Sequence, residues 1–164
     1  LVSARNCDRV AAIDHETGQL RFKFEKVHGQ HNPTWLANGN VLIFDNGHDS
    51  SRVIEVEPAS GEVVWRYRGM PSQQFFSGHI SGASSLSSGN VLVCEGTSGR
   101  LFEVTRGHEV VWEWINPFVN NNSRGEPTVS IYRAHRYAPD HPALAGRDLD
   151  PARHAALNRL NGLG

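Results

Sequence analysis

Short apolar runs bounded by turn residues recur along the chain at a spacing of roughly 50 residues. The run at residues 36–44 reads Leu-Ala-Asn-Gly-Asn-Val-Leu-Ile-Phe, and the run at 86–94 reads Leu-Ser-Ser-Gly-Asn-Val-Leu-Val-Cys. Each is followed by a run that begins with Arg, and then by a run that contains Trp65 or Trp112. Apolar and polar residues alternate in these later runs, which predicts β-strands with unlike faces.

A repeat of this length is typical of the blade of a β-propeller, in which antiparallel strands fan outwards from a central axis. Asn38-Gly39 and Ser88-Gly89 suit the hairpin between the first and second strands of a blade. The fold class predicted is therefore all-β, a partial β-propeller with about two full four-stranded antiparallel blades and parts of two others. Within a propeller domain at residues 1–148, we assign an incomplete blade without its first strand, two full blades and the first strand of a further blade to residues 1–29, 30–77, 78–118 and 129–140.

The tail at residues 149–164 differs in kind from the repeats. Asp150 can cap a helix, Pro151 suits the first helical position and Gly162 can end the helix, so we predict a short helix near residues 151–161. A closed propeller usually has about four to eight blades. We therefore expect the missing blades to come from the rest of a longer chain or from another copy of this one.

Composition and charge limit the classes of partner. The chain has 164 residues, with 16 basic and 17 acidic side chains, and its net charge of −1 gives no reason to expect nucleic acid or an anionic membrane as a partner. No apolar run approaches the roughly 18 residues that would cross a bilayer. Cys7 and Cys94 neither prove nor exclude a disulfide, no Cys/His spacing indicates a metal, and no cofactor is expected.

Three of the nine histidines lie at or before predicted first strands, which line the central channel of a propeller: His31, His79 and His135. His31 and His79 are not gap-free equivalents, but an offset of two residues keeps the same strand face, so we expect them to point toward one site. An imidazole there can serve as a nucleophile, an acid, a base or a ligand. The alternative is that each histidine only forms hydrogen bonds to a neighbouring blade.

Arg52 follows the polar loop at residues 45–50 and is expected at the mouth of the channel, where its guanidinium offers a planar fork to sulfate, phosphate or carboxylate. The loop has the composition of a calcium loop but not its order of residues. Trp35 breaks the repeat pattern and could stack on an aromatic ligand. The tryptophans that recur with the repeat are better explained by core packing.

At these residues the chain resembles the arylsulfotransferase family of β-propellers, and the likeness covers nearly its whole length as the C-terminal part of a longer member. Its most specific segments are Gln-His-Asn-Pro at residues 30–33, Asp-Asn-Gly at 45–47, Ser-Arg at 51–52 and Tyr-Arg-Ala-His-Arg-Tyr at 132–137. The resemblance implies transfer of a sulfuryl group from a phenolic sulfate ester to a phenol, through a sulfated histidine and without a nucleotide donor such as PAPS. It also implies a periplasmic or secreted protein.

Carried onto this sequence, the family mechanism makes His31, His79 and Arg52 the catalytic residues. Aryl sulfate and phenol would be bound by further residues of the predicted channel: Trp35, Asn32, Asp45, Asn46, His135 and Arg133. The chain by itself is expected to be inactive, since other channel residues would come from further blades. The main alternative is a non-catalytic propeller that binds a ligand or a protein. A quinone-dependent dehydrogenase is less favoured, because its Trp-docking repeats are not evident.

Overall fold

A computed structural model describes residues 1–160 of the chain, in which antiparallel sheets pack side by side as blades of a partial β-propeller. The first sheet has three strands, β1 (Val2–Ala4), β2 (Arg9–Ile13) and β3 (Leu20–Phe24). The second has four, β4 (His31–Trp35), β5 (Val41–Asp45), β6 (Arg52–Glu57) and β7 (Glu62–Tyr67). The third also has four, β8 (Gly82–Ser85), β9 (Val91–Glu95), β10 (Arg100–Val104) and β11 (Val110–Ile115). The predicted fold class is confirmed.

Each sheet follows the chain in order, because tight hairpins join neighbouring strands. Gly39 and Gly89 turn the first hairpin of their sheets with φ values of 84° and 85°, in the left-handed region that favours glycine. In the first sheet, Ala4 pairs with Arg9 as Asp45 pairs with Arg52 in the second. β1 therefore corresponds to a second strand, and the first sheet lacks the innermost strand that β4 and β8 supply to the others.

The core lies between the sheets and explains the unbroken apolar run in β5. Val41 and Ile43 pack on the first sheet, whereas Leu42 and Phe44 pack on the third, and all four side chains are fully buried. Successive side chains of a strand point to opposite faces, so a strand between two neighbouring blades needs apolar residues at every position. The edge strand β11 has a mostly exposed pattern, because among residues 1–160 no further four-stranded sheet packs against it.

The strand predicted at residues 129–140 is not formed, which corrects that expectation. A short hairpin, β12 (Asn120–Asn121) and β13 (Pro127–Thr128), precedes it, and the following segment is irregular apart from turns. Its backbone is anchored at single points: Ile131 N–H donates to the carbonyl of Gly96 over 2.8 Å, and Val129 O accepts from the Asn116 side chain. A strand needs a continuous neighbour to pair with, and in this structure the segment runs beside the third sheet without one.

The tail begins as the sequence indicates. Asp150 Oδ1 accepts from Ala152 N–H over 2.9 Å, and a 3-10 turn at Pro151–His154 leads into α1 (Ala155–Leu160). The predicted end of the helix near residues 161 and 162 lies outside the described residues. Within residues 1–160, no helix is both long and apolar enough to pass through a membrane.

Candidate functional site

His31 opens β4, and its imidazole is fixed by Asn46, the residue that follows β5. The Nδ2 amide of Asn46 donates to the carbonyl oxygens of Ser77 (2.5 Å) and Ile80 (3.1 Å), so its Oδ1 must face His31. Nδ1 of His31 lies 2.7 Å from that oxygen and therefore carries the hydrogen. The ring atom left for other partners is Nε2, which accepts a hydrogen bond in the neutral imidazole and donates one when protonated.

A buried hydroxyl network holds Asn46 against the third sheet. Ser51 Oγ donates to the carbonyl of Asn46 over 2.8 Å and accepts from the N–H of Ser77 over 2.9 Å. Ser81 Oγ in turn donates to Ser77 Oγ over 2.7 Å. Asn46, Ser51, Ser77 and Ser81 are all buried, so the side chain that orients His31 belongs to a fully bonded junction between two blades.

His31 lines a cleft of about 360 Å³ between the first sheet and the inner edge of β4, which we call the inner cleft. Its polar lining includes Arg5, Asn32, Thr34 and Arg133, while Tyr132 contributes an aromatic side chain. The lining contains two guanidinium groups and neither a carboxylate nor a thiol. The inner cleft therefore has a positive character that the net charge of the chain does not reveal.

Asn32 and Arg133 also line a smaller, neighbouring cleft beside β8 and β9, to which His135 contributes. Asn32 Nδ2 donates to the carbonyl of Ala83 over 3.0 Å and thereby joins β4 to β8. Arg133 and His135 are exposed. Four of the residues singled out in the sequence, His31, Asn32, Arg133 and His135, are thus gathered along one edge of the sheets.

Arg52 and Asp45 lie in a different cleft, of about 340 Å³, to which Glu25 and His28 also contribute. Arg52 Nε donates to Asp45 Oδ2 over 2.6 Å, and its Nη2 donates to the carbonyl of Lys26 over 2.6 Å. Asp45 is buried, and its other oxygen accepts from the N–H of His28 over 2.7 Å. The Arg52 guanidinium is therefore neutralised and ties the connection before β4 to the second sheet.

His79 and Trp35 belong to neither of these two clefts. His79 is exposed and precedes β8, and Trp35 ends β4 with half of its surface exposed. The expectation that His31 and His79 share a strand face does not hold, because Ile80 and Ser81 have φ values of 53° and 86°. An offset of two residues preserves the face only in extended backbone, and these residues turn the chain just before β8.

Arg5 and Tyr132 line the inner cleft but are not among the site residues predicted from the sequence. Arg5 could have been found from the repeat, since it follows β1 as Asn46 follows β5 and Gly96 follows β9. Residues at this position lie at the same end of each sheet. Tyr132 has no such signal, because it lies in the segment that forms no strand.

The two cysteines are not joined in a disulfide, and the Cys94 thiol is not activated. Both are free, and burial raises the pKa of the Cys94 thiol to about 11. Among residues 1–160, no group of three or more His, Cys, Asp and Glu side chains is arranged to hold a metal ion.

Comparison with known families gives one extensive match. The family model described as outer membrane protein assembly factor BamB matches residues 1–131, which include all three sheets. No curated protein matches the chain.

Solved structures support the fold. A protein of unknown function from Bacteroides caccae is 17% identical with a TM-score of 0.52, and the alignment covers 74% of this chain and 45% of that one. Virginiamycin B lyase from Staphylococcus aureus, a β-propeller, is 12% identical with a TM-score of 0.52, covering 78% of this chain and 44% of that one. This chain therefore spans less than half the length of either. At these identities the likeness concerns the fold alone.

The resemblance to the arylsulfotransferase family is wrong, because the family match falls elsewhere and no finding indicates sulfuryl transfer. The physical reason is that the motifs which suggested it also serve the packing of blades. Ser51 donates a hydrogen bond to the carbonyl of Asn46, and Arg52 donates to Asp45. The side chain of Asn46 itself bridges two blades. Arg136 bonds to Glu103 of the third sheet.

Proposed function

Because this chain belongs to the family described as outer membrane protein assembly factor BamB, we propose that it forms part of a non-catalytic β-propeller that binds a ligand or a protein partner. The observation that carries this proposal is the inner cleft, where an oriented His31 lies with Arg5 and Arg133 and with no carboxylate or thiol. Such a lining offers charge and hydrogen bonds for recognition. It does not offer His31 a carboxylate with which to form an acid–base pair.

The state of Arg52 also favours binding over catalysis. A guanidinium that stabilises developing charge has to be free to contact the reacting group. Arg52 instead bonds to Asp45 and to the carbonyl of Lys26, in a cleft apart from His31. The description of the family, an assembly factor, fits a protein that acts by binding rather than by turnover.

Binding and turnover can be separated with one isotope-labelled preparation and one variant, His31→Ala. The 164-residue chain is incubated separately with 4-nitrophenyl sulfate, 4-nitrophenyl phosphate and 4-nitrophenyl acetate. We expect no release of nitrophenol beyond that given by His31→Ala. In amide NMR spectra of the same protein, we expect hits from a small-molecule library to shift signals of β4 and of residues 131–135.

Two results would overturn the proposal. Turnover that disappears in His31→Ala would show catalysis at this site. Ligand shifts confined to the Arg52 cleft, which is lined by Glu25, His28 and Asp45, would move the binding site away from His31.

A further inference from the structure

The lining of the inner cleft carries two guanidinium groups, those of Arg5 and Arg133. Within residues 1–160, neither Arg5 nor Arg133 forms a salt bridge, whereas the arginines at the junctions between strands and sheets do so, among them Arg52, Arg100 and Arg106. Two positive charges in one concave site repel each other weakly. An anion bound between them would offset that repulsion and accept hydrogen bonds from their N–H groups.

The contacts of Arg5 leave most of its donors for such a ligand. Its Nη1 donates to Asn6 Oδ1 over 3.1 Å, and its Nη2 approaches the carbonyl of Gly78 at 3.5 Å. Both partners are neutral, so they position the guanidinium without cancelling its charge. Arg133 is held by an aromatic side chain instead, with its guanidinium carbon 5.6 Å from the centroid of the Tyr132 ring.

His31 adds a second requirement on the ligand. Its Nδ1–H is committed to Asn46, so the neutral imidazole can offer only Nε2, which accepts a hydrogen bond. Against the neutral imidazole, a bare anion would place an oxygen lone pair opposite that nitrogen. A ligand with a hydroxyl group beside its anionic group would satisfy the guanidinium groups and the imidazole together.

We propose that the inner cleft binds a small molecule that carries an oxyanion with an adjacent hydroxyl group, as hydroxy acids and phosphorylated polyols do. Arg5 and Arg133 bind the anionic oxygens, and His31 Nε2 accepts from the hydroxyl. This inference rests on the proposed function and names the ligand class for the same cleft. No covalent step is involved.

The test uses citrate and tricarballylate, which differ only in the hydroxyl group, in NMR and calorimetric titrations of the 164-residue chain. We expect citrate to bind about fivefold more tightly than tricarballylate, the factor that one well-placed hydrogen bond gives. His31→Phe should bind the two equally. Glycerol 3-phosphate, titrated in parallel, distinguishes a phosphate from a carboxylate source.

Arg5→Gln and Arg133→Gln should each weaken citrate binding by about tenfold or more. Both side chains are exposed, so the variants are expected to fold, which thermal unfolding will check. Arg124→Gln is the matched control: it removes the same charge from an exposed position in the β12–β13 turn, outside the inner cleft. We expect it to change citrate affinity by less than about twofold.

Equal losses in Arg5→Gln, Arg133→Gln and Arg124→Gln would reduce the binding to an effect of net charge and overturn the inference. Absence of binding by both citrate and glycerol 3-phosphate would do the same. If a neutral library compound still shifts the signals of β4, the binding module survives and only the ligand class fails. If no compound does, the proposed function fails as well.

Discussion

The second and third sheets share one arrangement at their outer strands, a buried glutamate that binds an arginine stacked on a tryptophan. They differ at their inner edge. Buried Glu55 on β6 accepts from Asn40 Nδ2 over 2.6 Å and from Arg106, whose guanidinium carbon lies 4.6 Å from the centroid of Trp65. Glu55 lies opposite Trp65 on the neighbouring strand, and the corresponding glutamate of the third sheet lies opposite Trp112. The carboxylate therefore joins its blade to the segment that follows.

The third sheet repeats the device with new partners. Glu103 on β10 accepts from Asn90 Nδ2 over 2.7 Å and from Arg136, whose guanidinium carbon lies 4.4 Å from the centroid of Trp112. Arg106 comes from the turn between β10 and β11, whereas Arg136 comes from the irregular segment after β13. The same arrangement of Glu, Asn and Trp thus accepts an arginine from two unrelated segments. Its shared role in the two sheets is to join a blade to the segment that packs against it.

The inner edge is where the two sheets diverge. The position after β5 holds Asn46, which orients His31, while the same position after β9 holds Gly96. A Cβ atom at Gly96 would lie 2.6 Å from the carbonyl oxygen of Ile131 and 2.7 Å from Cγ1 of Ile80. One sheet thus uses this position to present an imidazole, and the other uses it to let a neighbouring segment approach closely.

The largest effect is expected from replacing Asn46, the residue that makes the inner edges of the two sheets different. Asn46→Ala removes three hydrogen bonds from a fully buried junction and should lower the free energy of unfolding by about 3 kcal/mol. It should also abolish the preference for citrate over tricarballylate, because His31 loses its orientation. Urea unfolding and the titrations above measure the two effects.

Gly96→Ala is the comparison for Asn46→Ala, as it introduces a steric conflict at the equivalent position of the third sheet. We expect it to lower the free energy of unfolding by about 2 kcal/mol. Because Ile131 adjoins Tyr132 and Arg133, it should weaken the binding of citrate and tricarballylate alike and keep the preference for citrate. If Gly96→Ala removed that preference to the same extent, the idea that only the second sheet orients the ligand site would be wrong.

An effect of intermediate size tests how similar the sites of Glu55 and Glu103 are. Glu55→Gln should lower the free energy of unfolding by about 2 kcal/mol, because it removes the charge that pairs with Arg106 in a buried setting. Glu103→Gln removes the same kind of charge from a slightly more exposed carboxylate and should cost about half as much. Urea unfolding at pH 7 compares the two, and a larger loss in Glu103→Gln would contradict the ranking.

The pH dependence of the Glu55→Gln effect has a definite sign. Burial alone would raise the pKa of Glu55, but hydrogen bonds from Arg106, Asn40 and Asn38 and the charge of Arg106 lower it overall from 4.5. The carboxylate therefore contributes stability above its unfolded pKa and loses it as the pH falls through the lower folded value. The gap between the native chain and Glu55→Gln should stay constant from pH 7 to about pH 5 and narrow below 4.5.

How far the sequence predicts this molecule depends on how local each feature is. The strands β5 and β9 follow from repeated apolar runs, and their hairpins follow from Gly39 and Gly89. The pairing of His31 with Asn46 depends instead on the carbonyls of Ser77 and Ile80, which lie in the connection between the second and third sheets. Only the folded chain brings those groups together, so no pattern of residues within one blade could reveal the inner cleft.

The same lesson applies to residues 129–140, which have the composition of a first strand and no strand to pair with. Strand propensity describes how well a segment suits a β-sheet, but the strand forms only where a neighbouring strand is available to pair with it. Ile131 is held by the Gly96 carbonyl and by a weak bond from Cys94 Sγ at 3.6 Å. The closeness of this contact makes Cys94 a reporter of whether the segment covers the third sheet.

The two thiols, one in each of the outer sheets, differ in reactivity rather than in their effect on stability. Cys7 lies exposed in the turn after β1, whereas Cys94 is buried in β9 with a pKa raised to about 11 by that burial. Because the thiolate is the reactive form, the rise of the Cys94 pKa from 9.0 to about 11 lowers its thiolate fraction about 100-fold. Iodoacetamide at pH 8 should therefore modify Cys94 far more slowly than the exposed Cys7. Mass spectrometry of peptides over time measures both rates, and Cys7→Ser leaves the Cys94 rate to be measured alone. If Cys94 reacted within tenfold of the rate of Cys7, the segment at residues 129–140 would have to open often, and its contact with Cys94 at Ile131 would not be stably formed.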